Sequence, residues 1–168
     1  MKISKKIATV LLTVFFTVLA GAQEKQPLSP AASSSGEING ANISIIYSSP
    51  SVRGREIWGG LVPYGKVWRA GANAPTMFAV DKEITVEGKK LPAGKYSFYV
   101  IPEKDNFTII FGKDRSMQAS KYDSAQDQLR VTVKPKQSAA KTESLEYSVN
   151  ADNVTLSWDN LDIPISIK

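Results

Sequence analysis

The stretch of sequence that decides the fold is LEYSVNADNVTLSW, residues 145–158. Large apolar residues alternate with smaller or polar ones on both sides of Asn150–Asn153, and a period of two residues is typical of half-buried β-strands. Asn and Asp residues between two such runs indicate a turn. The stretch therefore predicts an antiparallel hairpin with a four-residue loop. The side chains that we expect on its buried face are those of Leu145, Tyr147, Val149, Val154, Leu156 and Trp158.

Other short runs repeat this pattern along the chain, and turn residues separate them. They predict further strands at residues 42–47, 76–80, 84–86, 95–101, 107–111, 129–134 and 163–167. The segments 112–128 and 135–142 are polar without a clear period, so we expect long connections there, the first with a helical turn. No amphipathic pattern of ten helical residues is present. The fold class that follows is all-β, an antiparallel β-sandwich or flattened barrel of about eight or nine short strands.

The first 22 residues have the pattern of a cleavable signal peptide. Three lysines precede an apolar run at residues 7–19, and the small residues Ala20-Gly21-Ala22 supply a cleavage site. The run is shorter than the roughly 20 residues that a membrane span requires. We therefore expect a periplasmic or secreted protein that begins at Gln23, with no membrane span after cleavage. Residues 23–40 are rich in Ser, Ala, Gly and Pro and predict a flexible tether, so residues 41–168 form the single all-β domain.

The composition excludes several kinds of chemistry. The chain has no histidine and no cysteine, so it can form neither a Ser-His-Asp triad nor a thiolate nucleophile. Zinc sites built from these residues are excluded as well, and we expect no cofactor and no metal. The net charge of +5 includes three lysines of the signal, which leaves 18 − 16 = +2 for the rest of the chain. So small a charge does not favour nucleic-acid binding.

Residues 49–75 do not follow the strand pattern. They contain five of the 11 glycines and two of the three tryptophans. A loop longer than about 12–15 residues is usually functional or disordered, and the aromatic content argues against disorder. Arginine forks suit carboxylate or phosphate groups, and aromatic faces suit sugars or apolar groups. The alternative is that these residues only pack the core and shape turns. The candidate ligand-binding residues are Arg53, Arg55, Trp58, Tyr64, Trp68, Arg69 and Asn73.

The same segment carries a family resemblance. The stretches PSVRGR at 50–55, GGLVPYGKVWR at 59–69 and GAN at 71–73 resemble the signature of the bacterial family catalogued as domain of unknown function 2911. LPAG at 91–94 and LRV at 129–131 also match that pattern. The resemblance extends over about residues 43–167. It implies an exported bacterial protein without an assigned activity.

The sequence leaves two hypotheses with a binding or catalytic role open, beside a purely structural subunit, which a large exposed apolar patch would indicate. The first is a non-enzymatic binding or interaction module of the cell envelope, whose partner is a small ligand or another envelope protein. The alternative is a carboxylate-based enzyme acting on an anionic or carbohydrate ligand, for which Asp81 and Glu83 are a possible pair. Separately, Asp123-Ser124-Ala125 resembles a bacterial O-glycosylation triplet on a polar loop.

Overall fold

A computed structural model describes residues 27–115 and 121–168 of the protein. The predicted signal peptide and its cleavage site lie outside these residues. The described residues form ten strands and a 3₁₀ helix, Ser124–Gln126. The strands are β1 (Ala31–Ile38), β2 (Ala41–Ser48), β3 (Thr76–Val80), β4 (Ile84–Val86), β5 (Lys89–Leu91), β6 (Gly94–Pro102), β7 (Phe107–Gly112), β8 (Asp127–Val133), β9 (Lys136–Val149) and β10 (Asn153–Ser166).

Two layers of antiparallel strands make up the fold. One layer is a six-stranded sheet in the order β1-β2-β3-β6-β7-β8. The other is the hairpin β9–β10, which the small hairpin β4–β5 extends. Thr85 and Lys168 join these two hairpins by exchanging backbone hydrogen bonds of 2.7 and 2.9 Å. The all-β sandwich expected from the sequence is confirmed.

The core lies between the two layers and follows the alternation of the strands. In β2 every second side chain, from Ala41 to Tyr47, is buried, and the residues between them are exposed. In the hairpin at 145–158 the residues expected inside are buried, except that Val149 is only partly buried. Trp158 is 1% exposed. The hairpin prediction is therefore confirmed, and it supplies much of the second layer.

The N-terminal boundary of the domain differs from the sequence prediction. The tether predicted over residues 23–40 is wrong for residues 31–38, because they form β1, which pairs with β2 along its whole length. Small side chains allow this strand to approach the second layer closely: a Cβ at Gly36 would lie 2.8 Å from Val149. The Ser34 hydroxyl donates a hydrogen bond to the Tyr147 carbonyl. A strand of Ser, Ala and Gly has no hydrophobic period, so the pattern could not reveal it.

Two predictions near the C-terminus also need correction. The segment 135–142, expected as a polar loop, belongs mostly to β9, whose first residues are largely exposed and so lack alternation. Residues 163–167 are not a separate strand, since β10 continues to Ser166 through two register shifts around Asp159. Pro164 lies beyond the last residue of β10 that pairs with β9, so its missing N–H costs no hydrogen bond there. The short strand β5 was not predicted either, and with β1 added and residues 163–167 merged into β10 the described strands number ten, two of them 14 residues long.

The expected connection after β7 contains the helical turn that the sequence suggested. Asp123 caps the 3₁₀ helix, because its Oδ1 accepts a hydrogen bond from the Ala125 N–H at 2.9 Å. Asp123-Ser124-Ala125 is exposed on this turn. No helix within residues 27–115 and 121–168 is both long enough and apolar enough to cross a membrane.

Candidate functional site

The segment 49–75 connects β2 to β3 and is anchored at both ends. The Val52 N–H donates to the Glu143 carbonyl at 2.8 Å, and Trp68 exchanges backbone hydrogen bonds of 2.8 and 2.9 Å with Val100. Within the segment only isolated bridges are found, so the expectation that it is not a strand is confirmed. Its buried side chains fix it to the core; they are Val52, Ile57, Trp58, Val62 and Ala70.

Left-handed turns set the positions of the polar residues in this segment. Arg53, Ala70 and Asn73 have φ angles of 50°, 55° and 56°. Such a conformation costs a residue with a side chain about 1–2 kcal/mol and persists where the surroundings enforce it. At Ala70 the carbonyl accepts hydrogen bonds from Tyr147 Oη at 2.7 Å and from Thr76 Oγ1 at 3.0 Å. These buried hydroxyls hold the turn that carries Arg69 and Asn73.

All three tryptophans of the chain meet in one cluster. The rings of Trp68 and Trp158 are stacked with centroids 5.6 Å apart. Trp58 contacts both rings edge-on, at 5.7 Å and 6.0 Å. Aromatic pairs in these arrangements contribute about 0.5–1.5 kcal/mol beyond the area they bury. The cluster therefore fixes the segment 49–75 to β10 of the second layer.

Two indole N–H groups of this cluster are buried without a hydrogen-bond acceptor among the described residues. They belong to Trp58 and Trp158. An unpaired buried donor costs about 1–3 kcal/mol, and aromatic ring faces are only weak acceptors. Trp58 packs edge-on against Trp68 and Trp158, so aromatic ring faces lie next to these buried indoles.

A cavity of about 300 Å³ lies against the cluster, and we call it the arginine cavity. Trp68 and Trp158 form part of its wall, together with the exposed side chains of Arg53 and Arg55. Its volume is at the lower end of the range that small-molecule sites occupy. The remaining lining residues are Leu28, Ser29, Pro50, Leu61, Val62, Gly71 and Ala72.

Each candidate arginine donates to a backbone carbonyl. The Arg53 guanidinium donates to the Leu28 carbonyl, and Arg55 donates to the carbonyls of Val52 at 3.0 Å and Ser51 at 2.6 Å. Among the described residues, none of the three arginines pairs with a carboxylate. A guanidinium has five N–H groups, so Arg53 and Arg55 each retain N–H groups beyond those used in these contacts.

Trp58 and Tyr64 line a different concavity, of about 450 Å³, which we call the polar cleft. Its wall comes from the segment 49–75, from the turn between β6 and β7, and from the region where β9 begins and β10 bends. Its other lining residues are Glu56, Ile57, Lys104, Asp105, Pro135, Gln137, Asp159, Asn160 and Leu161.

The structure thus divides the seven candidate residues into three groups. Arg53, Arg55 and Trp68 line the arginine cavity, whereas Trp58 and Tyr64 line the polar cleft. Arg69 and Asn73 line neither: the Arg69 guanidinium donates to the Asn73 carbonyl, and Asn73 Nδ2 donates to the Ser29 carbonyl at 3.5 Å. These last two residues hold the turn and the N-terminal segment beside the arginine cavity.

Sequence reasoning missed Trp158 as a wall of the arginine cavity. Trp158 follows Trp68 by 90 positions and was expected only as a core residue of the hairpin. No local signal in the sequence links it to the arginines, since the contact depends on how the two layers pack. Leu28 and Ser29 were missed for a similar reason, because they were assigned to a tether.

The carboxylates considered for an enzyme do not form a pair. Asp81 accepts hydrogen bonds of 2.8 and 2.7 Å from the backbone and side-chain amides of Asn42, which lower the pKa of its carboxyl. Glu83 forms an ion pair with Lys90 at 2.8 Å. The two carboxylates are thus held by different partners. Within the described part of the chain, no group of three or more potential ligand residues is arranged to hold a metal ion.

Comparison with known proteins places this architecture in a family. The family model described as "Protein of unknown function (DUF2911)" matches residues 29–167. No curated protein and no solved structure gives a significant match. The matched region begins just before β1 and contains all seven candidate residues. The resemblance in the sequence is thereby confirmed, and the chain belongs to this family of proteins of unknown function.

Proposed function

We propose that the protein is an exported, non-enzymatic binding module and that its site is the arginine cavity. Its ligand is a small molecule with a carboxylate or similar anionic group on an apolar body. The observation that carries this proposal is that Arg53 and Arg55 share one cavity with the rings of Trp68 and Trp158. Export is supported by the order of charged, apolar and small residues at positions 1–22.

The charge of the lining favours an anion. Among the described residues that line the cavity, Arg53 and Arg55 are the only charged ones. The carboxylate of Glu143 accepts the backbone N–H of Arg53 at 2.8 Å and makes no ion pair with its guanidinium. Two positive charges thus border the cavity without a paired carboxylate. A guanidinium fork binds carboxylates through two parallel hydrogen bonds, which fixes the orientation of such a ligand.

The rest of the lining favours an apolar body. Leu61, Val62 and the two tryptophans supply aliphatic and aromatic surface beside the arginines. Small-molecule sites commonly combine such surface with a few polar groups that orient the ligand. Leu61 is 48% exposed, which leaves apolar surface for a ligand to cover.

Binding without catalysis fits the chemistry of the lining residues. Arginine keeps its proton at any pH that proteins tolerate, so neither guanidinium can act as a general base. The other described residues of the lining include no carboxylate, lysine or tyrosine. The cavity can therefore hold and orient an anion, but its own residues offer no group for proton transfer near neutral pH.

The test compares an anionic probe with its neutral analogue. We expect phenylacetate to bind at least tenfold more tightly than phenylacetamide, as measured by calorimetry and by tryptophan fluorescence. Replacing both arginines (Arg53→Gln with Arg55→Gln) should remove this preference, while Arg115→Gln, a matched control at an exposed arginine that lines neither concavity, should keep it. Equal binding of acid and amide would contradict the proposal. So would the absence of phenylacetate binding at about 10 mM, where even a ligand with a Kd of 1 mM is mostly bound.

A further inference from the structure

The polar cleft is separate from the arginine cavity and has the opposite character. It has no lining residue in common with that cavity. Its charged lining residues are three carboxylates and one lysine: Glu56, Asp105, Asp159 and Lys104. Trp58 links the two concavities, since it lines the cleft and contacts both tryptophans of the cavity.

The bend in β10 brings three consecutive residues to the cleft. In a regular strand neighbouring side chains point to opposite faces, yet Asp159, Asn160 and Leu161 all line this one concavity. Register shifts flank Asp159, whose φ angle is 55°. Bulges are frequent beside functional sites because they re-aim side chains. The irregularity thus places the polar residues Asp159 and Asn160, which are neighbours in the chain, at the same concavity.

Most polar side chains of the cleft have unused hydrogen-bonding capacity. Asp159 is paired with Lys141 Nζ at 3.0 Å. No side-chain hydrogen bond or ion pair within residues 27–115 and 121–168 involves the other polar groups of the wall. The groups concerned are Glu56, Lys104, Asp105, Gln137 and Asn160. Donors and acceptors therefore surround a volume of about 450 Å³ without partners among the described residues.

An aromatic ring stands beside these polar groups. Tyr64 is 38% exposed, although large aromatic rings are mostly buried. Its ring is seated on Gly59, where an added Cβ would lie 2.7 Å from Cε2 of the tyrosine. Gly59 has a φ angle of 89°, so the turn that seats the ring needs glycine for its conformation as well as for its size.

We propose that the polar cleft binds a neutral carbohydrate. Sugar hydroxyls both donate and accept hydrogen bonds, which matches a wall of carboxylates, amides and one ammonium group. The apolar C–H face of a sugar ring suits the exposed ring of Tyr64. A small anion is disfavoured by the three carboxylates. Lys104 and Lys141, the partner of Asp159, offset two of these charges, so little net charge is left to attract a cation. The site goes beyond the proposed function, because it uses different residues and a different class of ligand.

The experiment uses an array of neutral oligosaccharides of two to four residues, followed by calorimetry with the sugars that bind. We expect at least one to bind and to change the tryptophan fluorescence, because Trp58 lines the cleft. Tyr64→Ala should weaken its binding at least tenfold without lowering the melting temperature by more than a few degrees. Asn160→Ala should weaken it as well. Leu61→Ala, at an exposed residue of the other cavity, should leave sugar binding unchanged.

Several outcomes would overturn this proposal. The first is that no sugar of the array binds. The second is that sugar binding survives both Tyr64→Ala and Asn160→Ala. The third is that spermidine, a cationic probe added to the same calorimetry, binds while no sugar does. The arginine variants separate the two sites. If Arg53→Gln with Arg55→Gln abolishes phenylacetate binding and leaves sugar binding intact, the two proposals stand independently.

Discussion

The buried carbonyl of Ala70 gives a prediction that can be worked out from the structure. It accepts one hydrogen bond from Tyr147 Oη and one from Thr76 Oγ1, and Ala70 itself is fully buried. Tyr147→Phe or Thr76→Val removes one donor and leaves the other in place. Each single change should therefore cost the net value of one hydrogen bond, about 0.5–1.5 kcal/mol of unfolding free energy.

The double variant should cost more than the sum of the single ones. With both hydroxyls absent, the carbonyl is buried without a partner, which adds about 1–3 kcal/mol. The assay is urea unfolding of the wild type, the two single variants and the double variant. The free energies of unfolding are compared where the dependence on urea concentration has the same slope in all four proteins. Additivity within about 0.5 kcal/mol would refute the reasoning, since it would mean that water or a backbone shift satisfies the carbonyl. Phenylacetate binding should weaken in the double variant, because Gly71 and Ala72 line the arginine cavity.

Three further predictions follow from burial, backbone strain and titration. Trp158→Ala should lower the unfolding free energy by about 3–5 kcal/mol, and a loss below about 1 kcal/mol in urea unfolding would show that the cluster is misjudged. Arg53→Gly should change stability by no more than about 1 kcal/mol, because relief of the left-handed strain offsets the added chain entropy, yet it should reduce phenylacetate binding in calorimetry. Burial raises the pKa of Tyr147 well above its usual value, so the unfolded chain loses that proton first and stability should fall above about pH 10. In Tyr147→Phe the melting temperature should fall less steeply with pH in this alkaline range. The same steepness in the variant and the wild type would contradict the prediction.

Strands in which large apolar residues alternate with smaller or polar ones could be predicted from the sequence. Strands without this alternation could not. The hairpin at 145–158 was predictable because Leu156 and Trp158 alternate with smaller or polar residues on a half-buried surface. β1 was not, since its Ser, Ala and Gly residues pair through the backbone and pack because they are small. The bend at Asp159 also left no signal, because nothing in the local sequence fixes a register shift.

The sequence predicted which segment carries the candidate site, but it did not predict which residues line each of the two concavities. Glycines, tryptophans and arginines between 49 and 75 indicated an ordered segment without regular secondary structure. Several of its side chains are buried in the core. The division into two concavities depends on contacts across the layers. Trp158 reaches Trp68 from β10, and Asn160 and Gln137 reach the cleft from the second layer. Such long-range contacts are a property of the packed sandwich and not of any short motif.

The central claim is that an anion binds between Arg53, Arg55 and the stacked rings of Trp68 and Trp158. The most direct test is a ¹H–¹⁵N correlation spectrum recorded during a titration with phenylacetate, with the arginine Nε–H and tryptophan indole signals assigned through single variants. We predict that the signals of Arg53, Arg55, Trp68 and Trp158 shift together, with one dissociation constant, while the Nε–H signal of Arg69 stays in place. Equal shifts at Arg69, or a shift of the Trp58 indole signal without any at Arg53 and Arg55, would contradict the account.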